Sequence, residues 1–248
     1  MITPTRLPSF RILSFDCYGT LIDWETGILA ALQPLTGQIG DPLTEQEILE
    51  AFGRRESELE AANPATPYST ILEQVFTRLA AEWGLDNGAA DAEAFGASVG
   101  DWPAFPDSRE ALLFLKRHYS LAILSNVDRA SFARSQARLG VDFDFVFTAE
   151  DVGSYKPSLR NFEYMLDKLA VARFGKEDIL HTAQSLFHDH EPANRMGLRS
   201  AWINRQAGRP GATPALESMP GFDFEFPTLS AMASAVELAF EDSANLAV

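Results

Sequence analysis

The sequence predicts an α/β protein, with a Rossmann-like parallel sheet core that carries an inserted helical cap. Three observations predict it. The apolar run Ile12-Leu13-Ser14-Phe15 ends in a carboxylate, Asp16, and a Gly19-Thr20 turn follows at once. Roughly seventy residues of helical pattern then pass without a strand signal, which marks an insertion. From Leu121 onward, short apolar runs alternate with amphipathic stretches, the pattern of parallel strands joined by helices.

In order, Phe10 to Phe15 reads as a buried strand and Gly27 to Leu35 as the start of the helical block. Leu43 to Leu85 is helical. Thr44 and Glu47 form a capping-box pair ahead of Ile48-Leu49. Ile71, Leu72, Val75, Phe76, Leu79, Ala80 and Trp83 then recur at helical spacing. Asn63-Pro64-Ala65-Thr66-Pro67 is a loop inside the block, and Trp102-Pro103-Ala104-Phe105-Pro106 marks the return to the core. Helices are predicted over 109–118, 129–139, 159–170, 191–196 and 230–240. Strands are predicted over 121–124, 143–147, 179–183 and 200–203. Residues 206–220 are Gly/Pro-rich and read as a surface loop. The core is assigned to 1–22 and 100–248, the cap to 23–99.

A chain of 248 residues, 46% of them hydrophobic, can bury a large core. Its net charge of -15 excludes nucleic acid as a partner, because phosphate backbones need a basic face. A small acid would need a local Arg or Lys to overcome that field. The single cysteine, Cys17, excludes a disulfide framework and a cysteine-based zinc site. No apolar run approaches the ~20 residues that span a bilayer, and no signal-type run opens the chain, so no membrane partner and a cytoplasmic location are expected.

The chemistry-bearing residues gather where strands are predicted to end. Asp16, Tyr18 and Thr20 follow the first strand, and Ser125-Asn126 follow the second. Lys156-Pro157 precede a helix, and His188-Asp189-His190 follow the strand over 179–183. In a parallel sheet these ends converge on one crevice. A strand-end carboxylate there can act as a nucleophile that forms an ester and is later freed by water.

With these four pieces in this order, the chain resembles the haloacid dehalogenase superfamily over almost its whole length. Asp16 to Leu21, Ser125-Asn126, Lys156-Pro157, and Asp189 with Ala193 and Gly197 match its four motifs. The helical block falls where that superfamily inserts its cap. Its phosphatases carry a second Asp two residues after the nucleophile, which serves as general acid and helps to bind Mg²⁺. Here that position is Tyr18, and the acid expected at the start of motif IV is replaced by Ala183-Gln184-Ser185-Leu186. Asp-x-Tyr-Gly-Thr-Leu, with Asp23-Trp24-Glu25-Thr26-Gly27-Ile28, looks instead like the metal-independent L-2-haloacid dehalogenases.

That resemblance implies a hydrolase converting short 2-haloacids to 2-hydroxy acids through an ester on Asp16, with no cofactor and no metal. It implies Asp189 as the base or orienting group for water and Lys156 as the holder of Asp16. Thr20, Ser125 and Asn126 become donors to the substrate carboxylate or the ester. Tyr18, beside the nucleophile, would line the pocket; by their position where cap and core meet, Trp24, Trp102 and Phe105 are candidates for its apolar wall or for the core. A cap arginine would bind the carboxylate, aligned at Arg55 with Arg54 left open. Phe162 stands where the best-known members have a tyrosine, and Gln184 and His188 stand in for lost motif IV polar groups. Dimers occur in the family, so a homodimer is open as the assembly. The alternatives are opening of a strained ring beside a carboxylate, a Mg²⁺-dependent phosphatase, and a relative that only binds a small acid.

Overall fold

The computed structural model describes residues 6–86, 88–205, 216 and 218–245. Its center is a six-stranded parallel sheet of order β3-β2-β1-β4-β5-β6. The strands are β1 (Ile12–Phe15), β2 (Ser120–Ser125), β3 (Phe145–Thr148), β4 (Ile179–Ala183), β5 (Arg199–Ile203) and β6 (Phe224–Phe226). Strand β1 is buried at all four positions and pairs with β2 and β4. Such a strand must be apolar on both faces, because crossover helices cover the sheet above and below. Leu13 and Phe15 join one core cluster, and Ile12 joins the other with Leu124, Phe162 and Ile179. The order of the sheet reverses between β1 and β4, so the crevice at their carboxyl ends is where a ligand is received.

The core helices are α5 (Ser108–Leu115), α6 (Arg129–Leu139), the single turn α7 (Ala149–Val152), α8 (Leu159–Val171), α9 (Glu191–Arg195) and α10 (Leu229–Asn245). The cap is built from α1 (Trp24–Thr36), α2 (Glu45–Ala62), α3 (Tyr68–Glu82) and α4 (Ala89–Ala97). The capping box expected at Thr44 is present: Thr44 N donates to Glu47 Oε2 at 2.8 Å, and Glu47 N to Thr44 Oγ1 at 3.2 Å. Alternation signals miss β6 and α7 because three or four residues are too few for a period. They also miss a π turn at Leu186–His190 that leads into α9. The predicted loop over 206–220 lies largely outside the described residues. No described helix is long and apolar enough to cross a membrane.

The chain leaves and re-enters the core side by side. Ile22 and Ala104 form an antiparallel bridge, Asp23 N donates to Pro103 O at 2.8 Å, and Phe105 N to Leu21 O at 3.0 Å. Next to this seam Gly27 lies against Trp102. An added Cβ would stand 2.3 Å from Trp102 Cγ, so only glycine lets α1 come this close. Gly27→Ala is therefore expected to cost about 1–3 kcal/mol despite the better helix propensity of alanine. A lowered urea midpoint with an unchanged slope is the expected reading.

Candidate active site

The peptide ladder positions the first carboxylate. Asp16 N donates to Thr182 O at 3.1 Å, which holds Asp16 as the first residue beyond β1. The chain then turns through Gly19 at φ +92°, a left-handed conformation that favours glycine. A Cβ there would lie 3.1 Å from Trp24 Nε1 and 3.3 Å from Gln184 Oε1. The turn brings Thr20 back to donate its hydroxyl to Asp16 Oδ2 at 2.7 Å.

Lys156 ties the elements together. Its Nζ donates to Asp16 Oδ1 at 2.9 Å, to Asp189 Oδ1 at 2.7 Å and to Leu124 O at 2.9 Å. Asn126 clamps the lysine backbone, with Lys156 N donating to Asn126 Oδ1 at 2.6 Å and Asn126 Nδ2 to Lys156 O at 3.0 Å. Beneath the site His181 Nε2 lies 2.9 Å from Asp189 Oδ1, and His181 Nδ1 lies 2.9 Å from Ser14 Oγ. Nε2–H donates to the carboxylate, which can only accept.

Burial pushes the Asp16 carboxyl above its ordinary value, with the Lys156 ammonium pulling the other way. Burial acts on Asp189 in the same sense. There the Lys156 charge and the His181 hydrogen bond outweigh it, and the carboxyl lies well below the usual range. Burial also works against the Lys156 ammonium, but the charges of Asp16 and Asp189 win and its pKa is raised. Asp189 is therefore a fixed anion, better suited to aiming a water molecule than to removing its proton strongly.

A cavity of about 70 Å³ opens over these groups, lined from the core by Asp16, Tyr18, Ser125, Asn126, Lys156 and Asp189. Gln184, Ser185 and His188 add to this wall, Trp24, Glu56, Glu60 and Tyr68 face it from the cap, and Trp102 from the return segment. An outer cavity of about 420 Å³ shares Trp24 and Gln184 with it. Two buried atoms bordering the inner cavity, Ser125 Oγ and Asp189 Oδ2, have no hydrogen-bond partner. In a folded protein such atoms call for a ligand or a water.

Several expected placements need correction. Arg54 and Arg55 do not reach the cavity. Arg54 pairs with Glu82 at 2.6 Å, and Arg55 pairs with Glu82 at 2.7 Å and Glu58 at 2.9 Å. Phe162 is fully buried in the core with its ring edge against His181 at 5.3 Å, and it does not line the cavity. The hydroxyl hydrogen of Thr20 is spent on Asp16, so it is not a donor to substrate. Asn126 serves mainly to fix Lys156. Tyr18, Trp24, Gln184 and His188 do border the cavity. Burial pushes His188 down to about 4, so its ring is neutral. His190 is held between Ser200 Oγ and Ala183 O, each at 3.0 Å, as a buried structural group.

The sequence reading missed Glu56, Glu60, Tyr68 and His181. The signal for His181 was present: Ser14 and His181 are polar residues inside apolar strands and face each other in register. Phe52, Glu56, Leu59, Glu60 and Asn63 likewise recur at the spacing of one helix face.

The residues do not fit an octahedral magnesium ion, which asks for several converging oxygens. The Lys156 ammonium stands between Asp16 Oδ1 and Asp189 Oδ1 and takes a lone pair from each. Tyr18 turns its hydroxyl to Ser135 Oγ at 2.9 Å and sets its ring edge against Trp102. No group of three or more His, Cys, Asp or Glu among the described residues could hold a metal ion.

A doubly wound parallel sheet with a lysine-held carboxylate at the end of its first strand and a helical lid above it defines a capped α/β hydrolase. The chain belongs to the haloacid dehalogenase-like hydrolase family, whose model matches residues 10–181. It is 24% identical over 207 residues to (S)-2-haloacid dehalogenase 4A of Burkholderia cepacia, covering 82% of this chain and 86% of that protein. In fold it is similar to the L-2-haloacid dehalogenase of Xanthobacter autotrophicus with chloropropionic acid covalently bound. The TM-score is 0.77 at 17% identity, over 92% of this chain and 98% of that one. It is also similar to the HAD-hydrolase YfnB of Bacillus subtilis bound to magnesium, with a TM-score of 0.71 at 20% identity, over 92% and 99% of the two chains.

Proposed function

We propose that this hydrolase is a dehalogenase acting at carbon 2 of short halogenated acids, without a metal, by way of an ester on Asp16. The observation that carries the reading is the Lys156 ammonium bridging Asp16 and Asp189, with Asp189 Oδ2 left partnerless at the cavity wall. The name of the curated relative and the covalently bound chloropropionic acid of one structural neighbour are consistent with it.

A carboxylate oxygen of Asp16 attacks the carbon that bears the halogen. The carbon–oxygen bond forms as the carbon–halogen bond breaks, and halide leaves with the bonding pair. Halide needs no proton, so Tyr18 in place of a second acid costs nothing. Lys156 holds Asp16 oriented. A water hydrogen-bonded to Asp189 Oδ2 then attacks the Asp16 carboxyl carbon. The ester opens, one proton of the water ends on the departing alkoxide, the other is released from the Asp16 carboxyl to solvent, and Asp16 retains one oxygen from water. Ser125 Oγ is free to donate to the developing oxyanion.

The test is a single turnover in ¹⁸O-water, with enzyme in excess over 2-chloropropionate, and chelator present. Halide release with the label first appearing in Asp16, and product oxygen free of label, is the expected result. Chelator-sensitive phosphate release from phosphate esters, with no halide from any short 2-haloacid, would refute the proposal.

A further inference from the structure

An acid bound in the inner cavity needs hydrogen-bond donors, and the core has few to spare. Lys156 Nζ has three partners, matching the three hydrogens of an ammonium. The Thr20 hydroxyl is on Asp16 and one Asn126 Nδ2 hydrogen is on Lys156 O. The Ser125 hydroxyl is free, and the proposed ester oxyanion has use for it. Arg54 and Arg55 pair with Glu82 on the outside, and no arginine is among the described residues lining the cavity. What the cap does present is Glu56 and Glu60, one turn apart on α2 and both on the cavity wall. Glu56 Oε1 accepts the Tyr68 hydroxyl, and Glu60 Oε2 accepts from Asn126 Nδ2 at 3.5 Å.

Glu60 is 7% exposed, and among the described residues it makes no ion pair. A buried carboxyl without a counter-ion keeps its proton and gives up its charge. Burial accordingly pushes Glu56 up to about 7, and burial followed by the Glu56 charge pushes Glu60 well above its ordinary value, with the Lys156 ammonium pulling the other way. The other ionisable groups around Glu60 leave this intact. Tyr68 of α3 and Tyr155 beside Lys156 are neutral, each pushed up by burial, and His188 of the π turn is a neutral ring. Asp16 and Asp189 across the cavity favour a protonated glutamate. A protonated carboxyl has one O–H to give, and with Oε2 accepting from Asn126 the hydrogen falls to Glu60 Oε1. Ser125 at 3% exposure and Asp189 at 0% carry the partnerless atoms that mark this as a ligand site and not a solvated acidic patch.

We propose that Glu60 is the substrate-binding residue of the cap, a neutral carboxylic acid that donates its Oε1 hydrogen to the carboxylate of the 2-haloacid in the role expected of a cap arginine. The proposal rests on the 2-haloacid reading of this same site. The bond is charge-assisted on the acceptor side, and the proton stays on Glu60 throughout. Two neutral glutamates add no charge that would repel the acid. Glu56, one turn earlier, helps to hold the proton on Glu60. The cap thus fixes the carboxylate while Asp16 approaches carbon 2 from the core side.

The experiment titrates propionate, which carries the carboxylate and no leaving group, into the unaltered protein, E60Q and E60M by calorimetry. Glutamine keeps a donor that no rise in pH removes, and methionine keeps the bulk with no donor. E60M is expected to bind propionate about tenfold or more weakly, as for a lost hydrogen bond to a charged group, and E60Q to recover most of that loss. The protonated form is the one that binds, so affinity is full below the folded pKa of Glu60 and declines as pH rises through it. From pH 6.5 to pH 10 the parent should therefore weaken more steeply than E60Q. Infrared difference spectra of the parent should show a carboxylic-acid carbonyl band, absent in E60Q, that shifts when propionate labelled with ¹³C at its carboxyl binds. Undiminished binding by E60M, equal pH slopes in parent and E60Q, or a band that propionate does not move overturns the proposal. Kinetics with 2-chloropropionate separate the two readings. Halide release with an unchanged KM in E60M removes the role of Glu60 and leaves the dehalogenase standing. No halide from any short 2-haloacid removes the dehalogenase, and the propionate titrations still decide whether Glu60 receives a carboxylate.

Discussion

Asp16→Asn is expected to lower halide release at least about a thousandfold, because an amide oxygen is a poor nucleophile and the step has no second carboxylate in the same place. The fold should survive. Asparagine keeps the shape of the side chain and an oxygen for Thr20 or Lys156, and Lys156 keeps Asp189 as a counter-charge. The result expected is therefore a split: an unfolding midpoint close to that of the parent, with turnover at background. Retention of more than a tenth of the parent rate would mean that Asp16 is not the attacking group.

Lys156→Met carries the largest expected cost in stability. The side chain is 2% exposed and bonds two carboxylates and a strand carbonyl, so its removal leaves Asp16 and Asp189 buried without a neutralising charge. Breaking a buried pair in this way costs about 3–5 kcal/mol. The pH dependence has a definite sign. In the parent the Asp189 carboxyl is depressed by Lys156 and His181, so its contribution is present above the unfolded-state pKa and lost as pH falls toward the lower folded value. Without the ammonium, both buried carboxyls are raised, and the variant is penalised increasingly as pH rises through their folded values. The difference in unfolding free energy between parent and variant should therefore widen from acid to neutral pH. Urea titrations at pH 5 and pH 8 measure it, and an equal difference at the two would argue that Lys156 contributes packing alone.

The residues that these two substitutions touch were legible in the sequence, for a simple reason. An apolar run that stops at a carboxylate places that carboxylate at a strand end, and parallel strands point all such ends the same way. Asp16, Ser125, Lys156 and Asp189 could thus be brought together from their order along the chain. The role of Asn126 was less legible, because a side chain that clamps a backbone looks the same in sequence as one that binds substrate. His181 was hidden by its place inside β4. Its bond to Asp189 depends on the π turn at Leu186–His190, which alternation cannot reveal.

The cap was legible as helices and not as a surface. Arg55 and Glu56 are neighbours in sequence, and one residue rotates a helix position by about 100°. The orientation of α2 is set by distant partners: Phe52 is fully buried, with its ring 6.3 Å from Phe95 and 6.0 Å from Trp24, and Leu59 is fully buried as well. That packing turns Glu56 and Glu60 toward the cavity over Asp16 and leaves Arg54 and Arg55 to pair on the outside with Glu82. The sequence by itself determined the core, the crevice and the polar groups gathered at the strand ends, because strand direction follows from local pattern. Only the tertiary structure decided what the cap presents to a ligand, because the roll of a helix about its own axis is settled by what it packs against.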